Sequence, residues 1–391
     1  MTAGFDQAGP RHEEAGAWLT VDLGALAWNW RRLRDEAPGA ECAAVVKADA
    51  YGIGLERAAA ALAAAGCRTF FVAHLAEGAR ARAAAPGAAI YVLNGLLPGT
   101  GPAYRAGDLR PVLGSREEVA EWAALSRETG ARLPAALHVD TGMNRLGLAP
   151  EEALTLAGHP DLAAFTPALV MSHLMVAEEP ANPANRRQIE AFAAIRQAFP
   201  EVPGSLANSS GIFLGPDTHH DLVRPGYALY GGNPMPGRPS PMRPVVALRA
   251  RVVQLRRVEA GESAGYGAAW TAPGPRRLAT LSVGYADGLP RAASGTGAAL
   301  AEGQPRGEAV VAGRRCPFVG RVSMDLTIID VSAVPEGAIR RGDAVALIGD
   351  GLTVDEVGAR AGTIGYEILT GLGRRYARTY MDEGLGLTER V

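Results

Sequence analysis

One side chain in this 391-residue sequence can serve as a neutral amine. Of the 39 lysines and arginines, 38 are arginine, and Lys47 is the single lysine. Arginine carries surface charge as well as lysine does, but it does not give up its proton. A position that keeps lysine against such a bias points to chemistry that uses the nitrogen lone pair, namely Schiff-base formation or proton abstraction. The alternative is a surface lysine that survived by chance. Context argues against that alternative. Lys47 ends the apolar run Cys42–Val46 and precedes Ala-Asp-Ala-Tyr-Gly. A run of that length before Gly reads as a buried strand, and a lysine at its exit faces a cavity mouth.

Two further segments carry suitable groups. Asn208-Ser209-Ser210-Gly211 offers hydroxyls and backbone N–H groups at a strand-to-helix transition. Such a place can hold a phosphate, or it can be an ordinary helix cap. Arg224-Pro225-Gly226-Tyr227 adds a fixed cation and a glycine that lets a ligand approach the backbone. A reactive lysine, a phosphate cradle and a fixed arginine together suggest pyridoxal phosphate (PLP).

These residues need a scaffold that gathers them. From about residue 17 to 240, short apolar runs alternate with helical stretches such as Arg116–Thr129 and Asn185–Phe199. Strands are expected at Trp18–Asp22, Cys42–Ala48, Thr69–His74, Ile90–Asn94, Pro111–Gly114, Ala135–Asp140, Leu169–Leu174, Ser205–Ser209 and Val223–Tyr230. Repeated strand–helix alternation implies a parallel sheet. Roughly eight units in about 225 residues is the size of a TIM-type (β/α)8 barrel, with a doubly wound open sheet as the competing arrangement. In a barrel the site lies at the C-terminal strand ends. Lys47, Tyr51, His74, Asp140 to Arg145, Ser172, His173, Asn208, Ser209 and Arg224 all fall there. His74, taken alone, reads better as a hydrogen-bonded structural residue. The segment GGNPMPGRPSPMRP reads as a linker. The chain beyond it is expected to be mostly β, with one helix near Val354–Ala361. The domains expected are 17–240 for the PLP-binding barrel and 241–391 for the β domain.

Bulk composition narrows the class. Net charge is −2, with 48% hydrophobic and 20% charged residues and no basic block. Nucleic-acid and anionic-membrane binding therefore have no electrostatic footprint. Cys42, Cys67 and Cys316 are widely spaced. That argues against a disulfide framework and against a metal site, and it fits a reducing, cytoplasmic compartment. The N-terminus is polar and acidic, without a signal-peptide pattern. No 18-residue apolar run is available to span a membrane.

Eight blocks then resemble one family. They are Val45–Gly54 (VVKADAYGIG), His138–Gly147 (HVDTGMNRLG), Ala207–Ser209 (ANS), Val223–Gly231 (VRPGYALYG), Gly265–Trp270 (GYGAAW), Val283–Gly288 (VGYADG), Gly320–Asp325 (GRVSMD) and Thr363–Glu367 (TIGYE). In this order they are similar to the alanine racemases, and the likeness runs from Leu19 to about Tyr380. The resemblance implies an α/β barrel, a C-terminal β domain and a head-to-tail homodimer in which each site combines one subunit's barrel with the other's β domain. It implies interconversion of L- and D-alanine, the latter for cell-wall peptidoglycan.

By the same resemblance, Lys47 carries PLP as a Schiff base and works on one face of the substrate. Tyr266 of the second copy works on the other. Tyr51, Ser209 and Tyr366 hold the phosphate beside Asn208, with backbone help near Gly226. His173 packs near the ring, and Arg224 faces the pyridine nitrogen. Arg145 lies near the cofactor's phenolic oxygen, and the Met324 backbone meets the substrate carboxylate. Tyr285 and Tyr366 form a narrow gate, with Arg291, Arg321, Glu178 and Ile364 further out. Such a gate favours alanine and leaves serine a poor second substrate.

One position departs from the family pattern. Many members carry a carbamylated, negatively charged lysine where this chain has His138. Arg145 is then expected to be held by Asp140 or by a bound anion such as chloride. Three rivals are weaker. A decarboxylase of the same architecture needs a carboxylate at the ring nitrogen, where this chain presents Arg224. A PLP-buffering barrel has no β domain and no second base. A carbohydrate-type barrel leaves the lone lysine unexplained.

Overall fold

The computed structural model describes residues 9–296 and 306–382. The chain forms two compact units. One spans Ala25–Arg243, and the other joins the residues before Ala25 to those from Pro244 onward.

The first unit is an eight-fold ring of parallel strands. After β1 (Ala17–Asp22), which belongs elsewhere, come β2 (Glu41–Cys42), β3 (Ala44–Val45), β4 (Thr69–Val72), β5 (Ala89–Val92), β6 (Arg110–Leu113), β7 (Pro134–His138), β8 (Thr166–Met171), β9 (Gly204–Ser205) and β10 (Leu222–Val223). Strands β3 to β9 pair in sequence order, and β10 pairs with β2. Backbone bonds close the remaining gap. Asp221 N–H reaches Gly204 O at 3.0 Å, and Arg224 N–H reaches Ala207 O at 2.9 Å. On the other side, Ala43 and Val45 donate to Val223 and Pro225, both at 3.0 Å. β2 and β3 thus act as one strand interrupted at Ala43. Strands in such a ring are covered on both faces and read as continuous apolar runs. Phe70, Phe71, Ile90, Leu137 and Val170 are accordingly fully buried.

Helices between the strands are set by local rules. The Ala-rich helix Leu55–Ala65 stops at Gly66, where a φ of +111° suits glycine. The helix Arg116–Thr129 starts with a reciprocal cap between Ser115 and Glu118.

The second unit is built on β1 and nine later strands. These are β11 (Val246–Val258), β12 (Ser263–Ala264), β13 (Trp270–Thr271), β14 (Arg276–Leu281), β15 (Glu308–Val311), β16 (Arg314–Pro317), β17 (Thr327–Asp330), β18 (Ala344–Ile348) and β19 (Ala377–Met381). The long β11 organises them. Its first half pairs with β1 and β18, and its second half pairs with β14, across a register shift between Val252 and Gln254.

Several expectations are corrected here. Trp18–Asp22 is no barrel strand, and the barrel does not begin at residue 17. β1 runs antiparallel to β11 and parallel to β19. Its alternating burial, with Ala17, Leu19 and Val21 inside, is that of a strand with one covered face. Val223–Tyr230 is strand only at its start and ends in a 3-10 turn at Tyr227–Tyr230. The β unit has a second helix, Gly365–Thr370, beside Val354–Arg360.

One buried side chain fastens the end of the first unit to its beginning. Asn29 is fully buried, and its amide donates to Leu229 O at 3.0 Å and Arg243 O at 2.9 Å. Its Oδ1 accepts from Arg243 N–H at 2.8 Å. Asn29→Ala leaves these backbone groups unpaired, at about 1–3 kcal/mol for each one that stays buried. Thermal unfolding should show a Tm lowered by several degrees; an unchanged Tm would refute the fastening role.

Candidate active site

The polar residues expected at the strand exits do gather at the C-terminal mouth of the ring, in an unusual backbone setting. Val46 N–H is bonded to Phe71 O at 2.8 Å, so the chain is still in register with β4 just before Lys47. The next four residues all have positive φ: Ala48 54°, Asp49 56°, Ala50 53° and Tyr51 53°. This is one turn of left-handed helix made of L-residues, at about 1–2 kcal/mol per residue. Such strain persists only where surrounding contacts over-determine it. Asp49 supplies some of them, accepting from Leu55 N–H at 3.2 Å and pairing with Arg80 at 2.5 Å.

The turn delivers Tyr51 beside the Gly226 backbone. The Tyr51 ring stacks on Tyr230 at 4.5 Å between centroids, and Tyr230 donates its hydroxyl to Val45 O at 2.8 Å. A Cβ on Gly226 would overlap the Tyr51 hydroxyl, so only glycine fits. Ser209 Oγ accepts from the N–H groups of Gly226 at 3.0 Å and Ala228 at 3.2 Å. Its own proton is left to donate to a ligand. Asn208 holds the turn that presents Ser209, donating to Leu174 O at 3.2 Å and accepting from Gly211 N–H at 2.9 Å.

Arg224 is 3% exposed and rigidly held. It donates to Ser205 Oγ, to Ser172 O at 2.5 Å and toward His173 Nδ1 at 3.4 Å. Ser205 passes its own proton to Leu222 O at 2.6 Å. Burial lowers the guanidinium pKa to about 9, which still leaves it protonated near neutrality. The neighbouring imidazoles respond in the same direction. Burial, then Arg224, pushes His173 well below the usual histidine range, and the same two causes bring His138 down to about 4. Both rings are neutral at pH 7.

Lys47 completes the group. Its amine is held below the ordinary lysine value by burial first and by Arg145 second, with Glu77 opposing. Arg145 itself is exposed at the mouth. Asp140, one of its two expected holders, instead turns Oδ1 inward to the N–H groups of Gly142 at 2.8 Å and Met143 at 2.9 Å. Among the described residues Arg145 has no ion-pair partner. The mouth therefore holds Lys47, Arg145 and Arg224 with little carboxylate to balance them. That is a cradle for a ligand carrying several negative charges.

In the β unit, the segment Gly320–Leu326 connects the other expected residues. Gly320 has φ +70°, and a Cβ there would stand 2.7 Å from Ala264 O, so this segment packs against the turn that carries Tyr266. Tyr285 N–H bonds to Ser323 O and Ala286 N–H to Met324 O, both at 3.0 Å. Ser294, in the turn of Arg291, accepts from Val322 N–H at 3.0 Å. Asp287 and Arg375 lock the base of the Tyr285 loop at 3.1 Å. Tyr266 is 73% exposed, Met324 53% and Ile364 61%, with Tyr285 and Tyr366 also exposed.

Comparison with known proteins decides the family. Residues 21–234 match the family model described as alanine racemase, N-terminal domain, and residues 245–380 match alanine racemase, C-terminal domain. The chain belongs to the alanine racemase family. An alanine racemase of Methylobacterium nodulans is 65% identical over 94% of this chain and 96% of its own length. A protein named "Alanine racemase, catabolic" from Mesorhizobium japonicum is 53% identical, covering 94% of each chain. Among solved structures, alanine racemase from Bartonella henselae with covalently bound pyridoxal phosphate superposes with TM-score 0.88 at 38% identity, over 94% of this chain and all of that one.

Family membership sharpens what sequence reasoning missed. Neither Ser172 nor Ser205 was expected to orient Arg224, and nothing pointed to Glu77 beside Lys47. For the two serines the one available signal was position, since Ser172 directly follows β8 and Ser205 ends β9.

Having one lysine makes the amine measurable. Amine-reactive labelling of the cofactor-free protein as a function of pH should place Lys47 below an ordinary lysine. Arg145→Gln removes one of the two lowering causes, so the labelling curve should move to higher pH. A shift to lower pH would contradict the electrostatics.

Proposed function

We propose that this chain is a PLP-dependent alanine racemase that interconverts L- and D-alanine by two bases on opposite faces of the substrate, in a homodimer with shared sites. The observation that carries the reading is the placement of the single amine, lowered in pKa, in a mouth whose cations lack carboxylate partners. PLP is an anionic aldehyde, and such a mouth suits it in both charge and chemistry. Bound PLP supplies an electron sink that acidifies the Cα–H bond of an attached amino acid.

The chain's own residues do the rest. Lys47 holds the cofactor covalently, then takes or returns the Cα proton on its face. The lowered pKa leaves more of the amine neutral at working pH, as a general base requires. The Tyr51 hydroxyl and the Ser209 proton would hold the phosphate of bound PLP, next to the space that Gly226 keeps open. Arg224 would face the pyridine nitrogen of bound PLP as a donor. A guanidinium keeps its proton there, so the ring is a weaker sink than one paired with a carboxylate, and this restrains transamination. His173, neutral, would pack near the ring of bound PLP without adding charge.

Tyr266 is assigned to the opposite face in the second copy's site. Its support is its high exposure, together with Tyr285, Met324, Ile364 and Tyr366. So many large side chains left uncovered on one unit suit a surface that another chain covers. The N–H of Met324 has no partner among the described residues and can take a substrate carboxylate. Tyr285 and Tyr366, with Arg291 and Arg321, narrow the entrance toward alanine. Beside Arg145 and the neutral His138, a bound anion such as chloride takes the place at Arg145 that Asp140, turned to its own loop, does not fill.

The test is incubation with PLP and L-alanine in heavy water, following loss of the Cα proton and appearance of D-alanine. The wild-type chain should give both. Lys47→Ala should lose covalent PLP and both signals. Tyr266→Phe should keep PLP and lose D-alanine formation by roughly 10²–10⁴-fold, the usual range for a general acid–base group. A fully active Tyr266→Phe would remove Tyr266 from the mechanism.

A further inference from the structure

We infer that Glu77 is a positioning residue for Lys47, a carboxylate clasp that staples the exit of the lysine strand to the exit of its neighbour. One oxygen, Oε1, accepts from Ala48 N–H at 2.6 Å, directly after Lys47. The other, Oε2, accepts from Ala73 N–H at 2.8 Å and His74 N–H at 3.2 Å, directly after β4. On the strand side, Val46 N–H is bonded to Phe71 O at 2.8 Å. Lys47 is thus fixed between two tethered amides, both anchored to the β4 segment and the helix that follows it.

The clasp also bears on the left-handed turn. Ala48 is the first residue of that turn, and its N–H would otherwise be a free donor at the start of a strained segment. The helix Leu75–Ala84 supplies both fasteners, since Glu77 holds Ala48 while Arg80 holds Asp49 at 2.5 Å. Two residues one helical turn apart therefore secure two consecutive residues of the turn. Glu77 is at the same time the negative charge that acts on the lysine amine, opposing Arg145.

The fold contains a matched control. Glu118 makes the same clasp two strands further on, where no lysine stands. Its Oε1 accepts from Leu96 N–H at 2.8 Å, and its Oε2 from Gly114 N–H at 2.5 Å and Ser115 N–H at 3.1 Å. Both glutamates occupy the third position of the helix that follows a strand. A glutamine at either place has one acceptor oxygen where two are used, so each substitution removes at least one backbone bond.

The inference rests on Lys47 being the cofactor lysine, and the experiment separates the two. Glu77→Gln and Glu118→Gln are compared by thermal unfolding, by pH-dependent amine labelling of Lys47 in the cofactor-free protein, by the visible absorption of bound PLP, and by kcat and KM. Both variants should lose stability. Only Glu77→Gln should move the Lys47 labelling curve to lower pH, change the PLP absorption, and lower kcat by roughly 10–100-fold with a smaller change in KM. Should Glu77→Gln fail to fold, Glu77→Asp, which keeps the charge but shortens the reach, should still lower kcat and alter the PLP spectrum. If the Glu77 and Glu118 variants differ from wild type only in stability, the clasp has no part in positioning Lys47. If Lys47→Ala still binds PLP covalently, it is the identity of the cofactor lysine that fails instead.

Discussion

An excess of positive charge at one barrel mouth, with no ion-pair partner for Arg145 or Arg224 among the described residues, governs this molecule. Lys47, Arg145 and Arg224 converge with two neutral imidazoles on one barrel mouth, where the nearby carboxylates are bonded to backbone N–H groups and Glu77 also acts on the lysine amine. Asp140 closes its own turn, and Glu77 accepts three backbone N–H groups. Burying cations without partners is costly. The arrangement holds because each cation is handled differently. Arg224 is wrapped by oxygen acceptors, Lys47 eases toward its neutral form, and Arg145 stays exposed. Each adjustment leaves a different group at the mouth: a fixed donor, an amine of lowered pKa and an exposed cation.

The β unit solves a different problem. It must present large side chains outward without letting them collapse together. It ties the Tyr285 loop by backbone bonds to Ser323 and Met324, while the Tyr285 and Met324 side chains stay exposed. Rigidity is therefore located in the main chain, and the aromatic surface is free for whatever packs against it.

Much of the site was legible because its chemistry forces residue type. A lone lysine among 38 arginines, and an arginine followed by Pro-Gly at a strand end, stand out without any structure. The eight barrel strands were legible from their continuous apolar runs. The misassigned ninth, Trp18–Asp22, did carry its own signal, because apolar residues at every second position from Ala17 describe a strand with one wet face. The left-handed turn was not legible at all. Lys-Ala-Asp-Ala-Tyr contains no glycine and favours the ordinary right-handed helix, so only tertiary contacts select the observed hand. Glu77 was hidden for a related reason. A glutamate near a helix start reads as a local cap, and its second partner, Ala48, lies 29 residues away.

That turn has a stereochemical corollary. Ala48, with φ 54° and ψ 50°, and Ala50, with φ 53° and ψ 54°, sit in the basin where a residue of the opposite chirality would rest unstrained. For D-alanine these angles are the mirror image of the common helix. A chain ligated chemically with D-alanine at both positions would keep the same backbone trace while shedding strain on the order of 1–2 kcal/mol at each. A racemase for alanine thus holds two of its own L-alanines, next to Lys47, in the posture natural to their enantiomer.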